Sequence, residues 1–155
     1  HSTWMQSRIQ SLTSFYFKDN FEAEPKVFNN VAALLTPNII SQQAVRYYPL
    51  PDVWLEAGTR YVSRQYLDNS QSAALSIPEY IVADARMQVQ LHQYLKLPGL
   101  SFSLVCNNVL NRRYTPWGSV APFSNTIDAS GQPTATALFF PAATRNWFAT
   151  LSWRF

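Results

Sequence analysis

One cysteine, Cys106, stands among 155 residues, so no internal disulfide can form, which excludes a cross-linked miniature scaffold. The two histidines, His1 and His92, are far apart. No CxxC, HExxH or mixed Cys/His cluster exists, and no metal site is expected. Four glycines are too few for a glycine-rich phosphate loop, and no serine sits in the glycine-flanked elbow of a hydrolase. The chain therefore does not read as an enzyme: no catalytic residue and no cofactor are expected. Charge is scarce as well, at 14% of residues against about 25% in soluble domains. The net charge of +3 is scattered, with no basic block, which argues against nucleic-acid binding. No apolar run approaches the ~18 residues of a transmembrane helix. The chain opens on His-Ser-Thr without a signal-peptide pattern, as expected for a processed product or a piece of something longer.

Aromatics, by contrast, reach 15%, and many fall into alternating segments. In YIVADARMQVQL, Ile81, Ala83, Ala85, Met87, Val89 and Leu91 share one parity, and Asp84, Arg86, Gln88 and Gln90 the other. In LSFSLVCN, Leu100, Phe102, Leu104 and Cys106 oppose Ser101, Ser103, Val105 and Asn107. Residues 53–64 set Val53, Leu55, Ala57, Thr59 and Tyr61 against Trp54, Glu56, Gly58, Arg60 and Arg64. The last eleven residues, RNWFATLSWRF, put Trp147, Ala149, Leu151, Trp153 and Phe155 on one face. Side chains alternate across a strand, so each segment has one greasy and one mostly polar face. The expected strands are 3–17, 37–48, 53–66, 80–94, 100–114 and 142–155. The stretches between them, 19–36, 67–79 and 115–141, are long, whereas those at 49–52 and 96–99 are short.

Alternating long and short connections put all long loops at one end of an antiparallel meander, as in outer-membrane barrels. The parity then sorts lipid from lumen. Glu56, Arg60, Arg64, Asp84, Arg86 and Arg154 are expected to face the lumen, because Arg or Lys facing lipid near the midplane costs about 2–4 kcal/mol. A soluble antiparallel sheet, or a small oligomeric β-barrel binding protein without a transport role, produces the same alternation through one solvated face. That alternative stays open on pattern alone.

Three stretches resemble the C-terminal portion of TonB-dependent outer-membrane receptors, in wording nearest the Bacteroidetes type. FFPAATRNWFATLSWRF is similar to the family's last strand. NNVLNRRY, at 107–114, looks like its N-N-L-x-[D/N]-x-x-Y signature, and RYVSRQYLDN, at 60–69, its Y-V-G-x-Q-Y-x-D-N element with Ser63 for the glycine. The resemblance covers about residues 37–155. It implies an all-β antiparallel meander of about six transmembrane strands, the C-terminal part of a large barrel of the 22-stranded type. The plug and the TonB-contacting segment of that family are absent from these residues.

The family further implies active uptake of a scarce nutrient, such as a ferric chelate, haem, cobalamin or glycan, at the bacterial outer membrane. Implied partners are the rest of the same receptor, the TonB complex, outer-membrane lipid and the barrel-assembly machinery, which reads the terminal Trp153 and Phe155. Asn107, Asn108 and Tyr114 are expected to set strand-end geometry. Asp68, with Tyr66 and Asn69, marks a turn where an Asp is more often a cap than a ligand. Substrate-contact candidates are Trp117, Phe123, Phe139, Phe140, Tyr66 and Asp68.

Overall fold

The computed structural model describes residues 1–18, 22–95, 97–122, 124–128 and 130–154. Its strands, in chain order, are β1 (Ser2–Trp4), β2 (Arg8–Phe17), β3 (Ala23–Ala32), β4 (Ile39–Leu50), β5 (Val53–Val62), β6 (Gln65–Tyr66) and β7 (Ser76–Ile77). They continue with β8 (Tyr80–Gln90), β9 (Leu100–Asn107), β10 (Trp117–Val120), β11 (Thr126–Ile127), β12 (Pro133–Thr134), β13 (Ala137–Phe140) and β14 (Asn146–Trp153). One helical turn, α1 (His92–Leu95), follows β8.

Six of these strands make one antiparallel sheet in the order β1-β4-β5-β8-β9-β14. The register carries the two-faced pattern across it. Val45, Ala57, Ala85, Cys106 and Trp147 are successive partners, as are Tyr47, Leu55, Met87, Leu104 and Ala149. The intervening rows carry the polar residues: Arg46, Glu56 and Arg86 align, with Val105 and Phe148 completing their row, and Gln88, Ser103 and Thr150 align beyond Trp54. Because side chains repeat every second residue, one slipped residue would turn every charge onto the apolar face. The apolar face is left open: Val45, Tyr47, Trp147, Leu151 and Trp153 are all exposed. A soluble sheet would cover such a face; these rows present it continuously.

Close packing sits beyond one end of the sheet. There β2 and β3 form a hairpin extended by β11 and β12, β6 pairs with β7, and β10 with β13. Tyr16, Val31, Leu67, Leu75 and Ile77 are buried in this layer. At the other end the chain turns through Pro51–Asp52 and through α1, where His92 Nε2 lies 3.9 Å from Asp52 Oδ1.

Several expected boundaries shift. The segment 3–17 is two strands: β1 pairs with β4 in the large sheet, whereas β2 leaves it for β3. The expected loop 19–36 therefore contains a ten-residue strand, β3. The segment 37–48 begins at Ile39 and runs on to Leu50 through an irregular register between Tyr47 and Leu50. The segment 53–66 ends at Val62, and Gln65–Tyr66 pairs separately with β7. Arg64 thus leaves the wall: it lies between β5 and β6, 3.9 Å from Glu79. The segment 80–94 stops at Gln90, because residues 92–95 wind into α1. The segment 100–114 stops at Asn107, since Asn108 turns the backbone left-handed at φ 51°. The expected loops 67–79 and 115–141 carry the short strands β6-flanking β7 and β10 to β13. The last segment is a strand from Asn146 to Trp153.

Candidate functional site

The polar face of the sheet forms a charged wall. β5 places Glu56 between Arg46 of β4 and Arg86 of β8. Glu56 Oε2 accepts from Arg46 Nε at 3.0 Å and from Nη2 at 2.6 Å, and Arg86 Nη1 lies 3.9 Å from Oε1. The Arg46 guanidinium also covers the Trp54 ring at 4.4 Å, a cation–π contact. One carboxylate thus holds two guanidiniums. Higher up, Arg60 and Asp84 line a recess of about 200 Å³ with Asn107, Asn146 and Tyr114. At the opposite end Arg154 lines another with Gln88, Gln90, Ser101, Ser103 and Ser152. With Arg46, the wall carries four arginines against two carboxylates, a surface that attracts anionic and hydrogen-bonding solutes. Arg46 was not among the expected charges, because the alternation in residues 37–48 is blurred by Ser41-Gln42-Gln43.

The wall is locked at its loop end by Asn108, which is only 2% exposed. Its backbone N–H donates to Asp84 Oδ1 at 2.9 Å, and its Nδ2 donates to the carbonyls of Arg112 at 2.8 Å and Ala143 at 3.3 Å. Its Oδ1 accepts from the Arg112 N–H at 3.0 Å. Nearby, Asn107 Nδ2 donates to Asn146 Oδ1 at 3.0 Å, and Tyr114 stacks on Tyr80 at 4.8 Å. The NNVLNRRY motif therefore ties β8, β9 and β14 together where the strands leave the sheet. Asn108→Ala strands two carbonyls and one N–H. An unsatisfied buried group costs about 1–3 kcal/mol, so this variant should lose heat resistance in a melting assay, with Asn108→Gly recovering only the backbone share.

The loop layer above the wall separates the contact candidates. Asp68 is buried, and its Oδ1 accepts from the Ser70 N–H at 3.2 Å and the Ser70 hydroxyl at 2.7 Å, the capping role expected of a turn Asp. Tyr66 is half-buried, its carbonyl accepting from the Leu35 N–H at 3.0 Å. Trp117, Phe139 and Phe140 instead come together on the β10–β13 hairpin and are exposed, with the Trp117 and Phe140 rings 4.6 Å apart. Phe123 and Phe155 lie outside the described residues.

Burial, and then the Asp68 carboxylate beside it, pushes the Tyr16 phenol up to about 12 from 10.0. A raised folded-state pKa on an acid favours its neutral form. The Tyr16 contribution is complete below pH 10 and lost as pH climbs through 12. Hydrogen exchange in residues 65–77 should therefore accelerate across that window, and Tyr16→Phe should remove this alkaline step.

No family model and no curated protein matches the chain. Solved structures do. The siderophore receptor PiuA from Acinetobacter baumannii aligns over 84% of this chain and 15% of its own, with TM-score 0.62 and 18% identity. The ferric-catecholate import receptor Fiu from E. coli, in its closed form, aligns over 91% of this chain and 18% of its own, with TM-score 0.53 and 18% identity. A mutant of the ferric enterobactin receptor PfeA from Pseudomonas aeruginosa aligns over 75% and 16%, with TM-score 0.51 and 17% identity. The chain thus spans less than a fifth of each receptor. At such identities the likeness is one of fold: this nearly all-β chain has the architecture of a portion of these receptors' barrels, as the sequence resemblance implied.

Proposed function

We propose that the chain is the C-terminal part of the barrel wall of a TonB-dependent outer-membrane receptor that imports a ferric chelate. The observation that carries this reading is the two-faced sheet: an apolar face open across five strands, backed by a wall of arginines and carboxylates. Only a closed barrel satisfies the backbone of such a sheet in lipid. The β4 edge from Gln43 onward and the outer edge of β14 have no partner strand among the described residues. Both edges would be met by further strands of the same receptor.

In this reading Glu56, Arg60, Asp84, Arg86 and Arg154 face the lumen and its plug, while the β2–β3 and β10–β13 hairpins stand outside the cell. TonB engages the receptor through its plug side, and Trp153 with Phe155 presents the last strand to the barrel-assembly machinery. The ferric chelate is favoured over haem, cobalamin or a glycan for two reasons. The solved receptors of like fold are named for siderophores and ferric catecholates, and the exposed Trp117–Phe140 pair offers flat surface on which an aromatic chelate stacks.

The test is import by cells expressing the native polypeptide. Trp117→Ala with Phe140→Ala should weaken uptake of a radioiron-labelled catecholate by about tenfold, from two lost stacking contacts. If deleting the whole gene left uptake of every labelled chelate unchanged, iron import would be the wrong activity.

A further inference from the structure

Between Tyr66 and Asp68 stands Leu67, 7% exposed and packed against the β10–β13 hairpin at Gly118. Partners across an antiparallel pair share a face, and the faces alternate along each strand. Trp117 and Phe140 are partners on one face, as are Ser119 and Leu138; Gly118 and Phe139 are partners on the other. Trp117, Leu138 and Phe140 are exposed, whereas Gly118 is buried. A Cβ on Gly118 would lie 3.4 Å from Leu67 Cδ2, 3.3 Å from Phe139 Cδ1 and 2.9 Å from the Leu138 carbonyl oxygen. That oxygen belongs to the backbone of the paired strand, so no side-chain rotation makes room for a methyl group. The hairpin would have to lift or twist.

Leu67 is itself held from several sides. Its N–H donates to the Leu75 carbonyl at 2.8 Å, and the Tyr66 carbonyl before it accepts from the Leu35 N–H. After it, Asp68 accepts from Ser70, and Asn69 Nδ2 donates to Ser14 Oγ at 3.3 Å, which ties the turn to β2. We propose that Leu67 and Gly118 form a seat that fixes the Trp117–Phe140 pair, whose ring centroids stand 4.6 Å apart with 39° between their planes. The 65–69 turn then serves ligand binding through the hairpin it supports. Rings that tilt lose contact with a flat ligand, and a supporting layer about 1 Å too loose is enough to weaken a site. Leu67 and Gly118 are thus positioning residues, and neither has to touch the ligand. This inference rests on the chelate-stacking role proposed above for the pair.

The experiment is uptake of a radioiron-labelled catecholate by cells expressing the native polypeptide, with half-saturation and maximal rate measured separately and normalised to receptor in the outer membrane. Gly118→Ala should raise the half-saturating concentration about tenfold, as loss of the pair does, and leave the maximal rate per receptor unchanged. Leu67→Ala should raise it by a smaller step, and Leu67→Met, which keeps the volume, should restore it. In the Trp117→Ala, Phe140→Ala background Gly118→Ala should add nothing, because a seat has no effect once its rings are gone. If Gly118→Ala does not reach the membrane, Leu67→Ala carries the same comparison. A full further loss in that background, or a lower maximal rate at unchanged half-saturation, would overturn the seat and leave chelate import standing. If wild type imports no catecholate, the ferric-chelate reading fails, and fluorine NMR of fluorotryptophan-labelled receptor decides the seat alone. The Trp117 resonance, identified by its loss in Trp117→Phe, should move in Gly118→Ala and in Leu67→Ala; a resonance unmoved in both would overturn the seat.

Discussion

Leu104→Arg should prevent assembly of the protein in the membrane, whereas Ser103→Arg, one residue earlier on the same strand, should be tolerated. The two positions differ only in face. Leu104 lies mid-strand in β9, between Met87 and Ala149, in a row without a charge. Ser103 lies between Gln88 and Thr150, in a row where arginines and glutamines already stand nearby. An arginine facing lipid at the bilayer midplane costs about 2–4 kcal/mol and falls to about 0–1 near the interfaces. A strand that leans toward the lumen offers its new charge water instead. The readout is the amount of heat-modifiable protein in the outer-membrane fraction. Equal tolerance of both variants would mean that neither face meets lipid, and loss of Ser103→Arg alone would reverse the two faces.

Gly99→Ala should be nearly as damaging, for a reason of shape. Gly99 turns the chain into β9 at φ +77°, a conformation that costs an L-residue roughly 1–2 kcal/mol. A Cβ there would lie 2.1 Å from the carbonyl oxygen of Arg154. The contact cannot relax cheaply, because the Arg154 N–H donates to the Gly99 carbonyl at 3.1 Å and holds the two backbones together. The end of β14 must lift away, and with it the Trp153 Nε1 hydrogen bond to the Pro98 carbonyl. Gly131→Ala separates the two effects: its φ is also +77°, but nothing lies within 4 Å of the added Cβ. Thermal unfolding in detergent should show a small decrease for Gly131→Ala and a much larger one for Gly99→Ala.

The large sheet was legible where alternation was strict. β5, β8 and β9 carry β-branched and aromatic residues on one parity with charge or serine on the other, so their faces follow from period two alone. Asp68 was legible as a residue of a loop-entry turn, where an Asp more often caps than binds, but its partner Ser70 came only with the structure. The β2–β3 hairpin was not legible as a pair. β3 contains Pro25 and the pair Asn29-Asn30, residues that mark turns in most chains. It is a strand because β2 pairs with it from Ala23 to Ala32 and Val31 is buried, a tertiary effect that overrides local preference. The same holds for β10 and β13, four residues each, too short for a period to register. Arg46 stayed hidden for a different reason: its role comes from Glu56 and Trp54 on the next strand, and cross-strand register is invisible before the strands are paired.

The most direct test of the two-faced wall is a nitroxide accessibility scan, one label at a time, through residues 84–89 and 101–106 of the native polypeptide in lipid bilayers. Collisions with a water-soluble nickel chelate should be frequent at residues 84, 86, 88, 101 and 103, and collisions with oxygen frequent at 85, 87, 89, 102 and 104. Opposite phase would place the arginines against lipid and reverse the wall. Access to the nickel chelate at every position, without alternation, would mean that this sheet does not line a membrane at all.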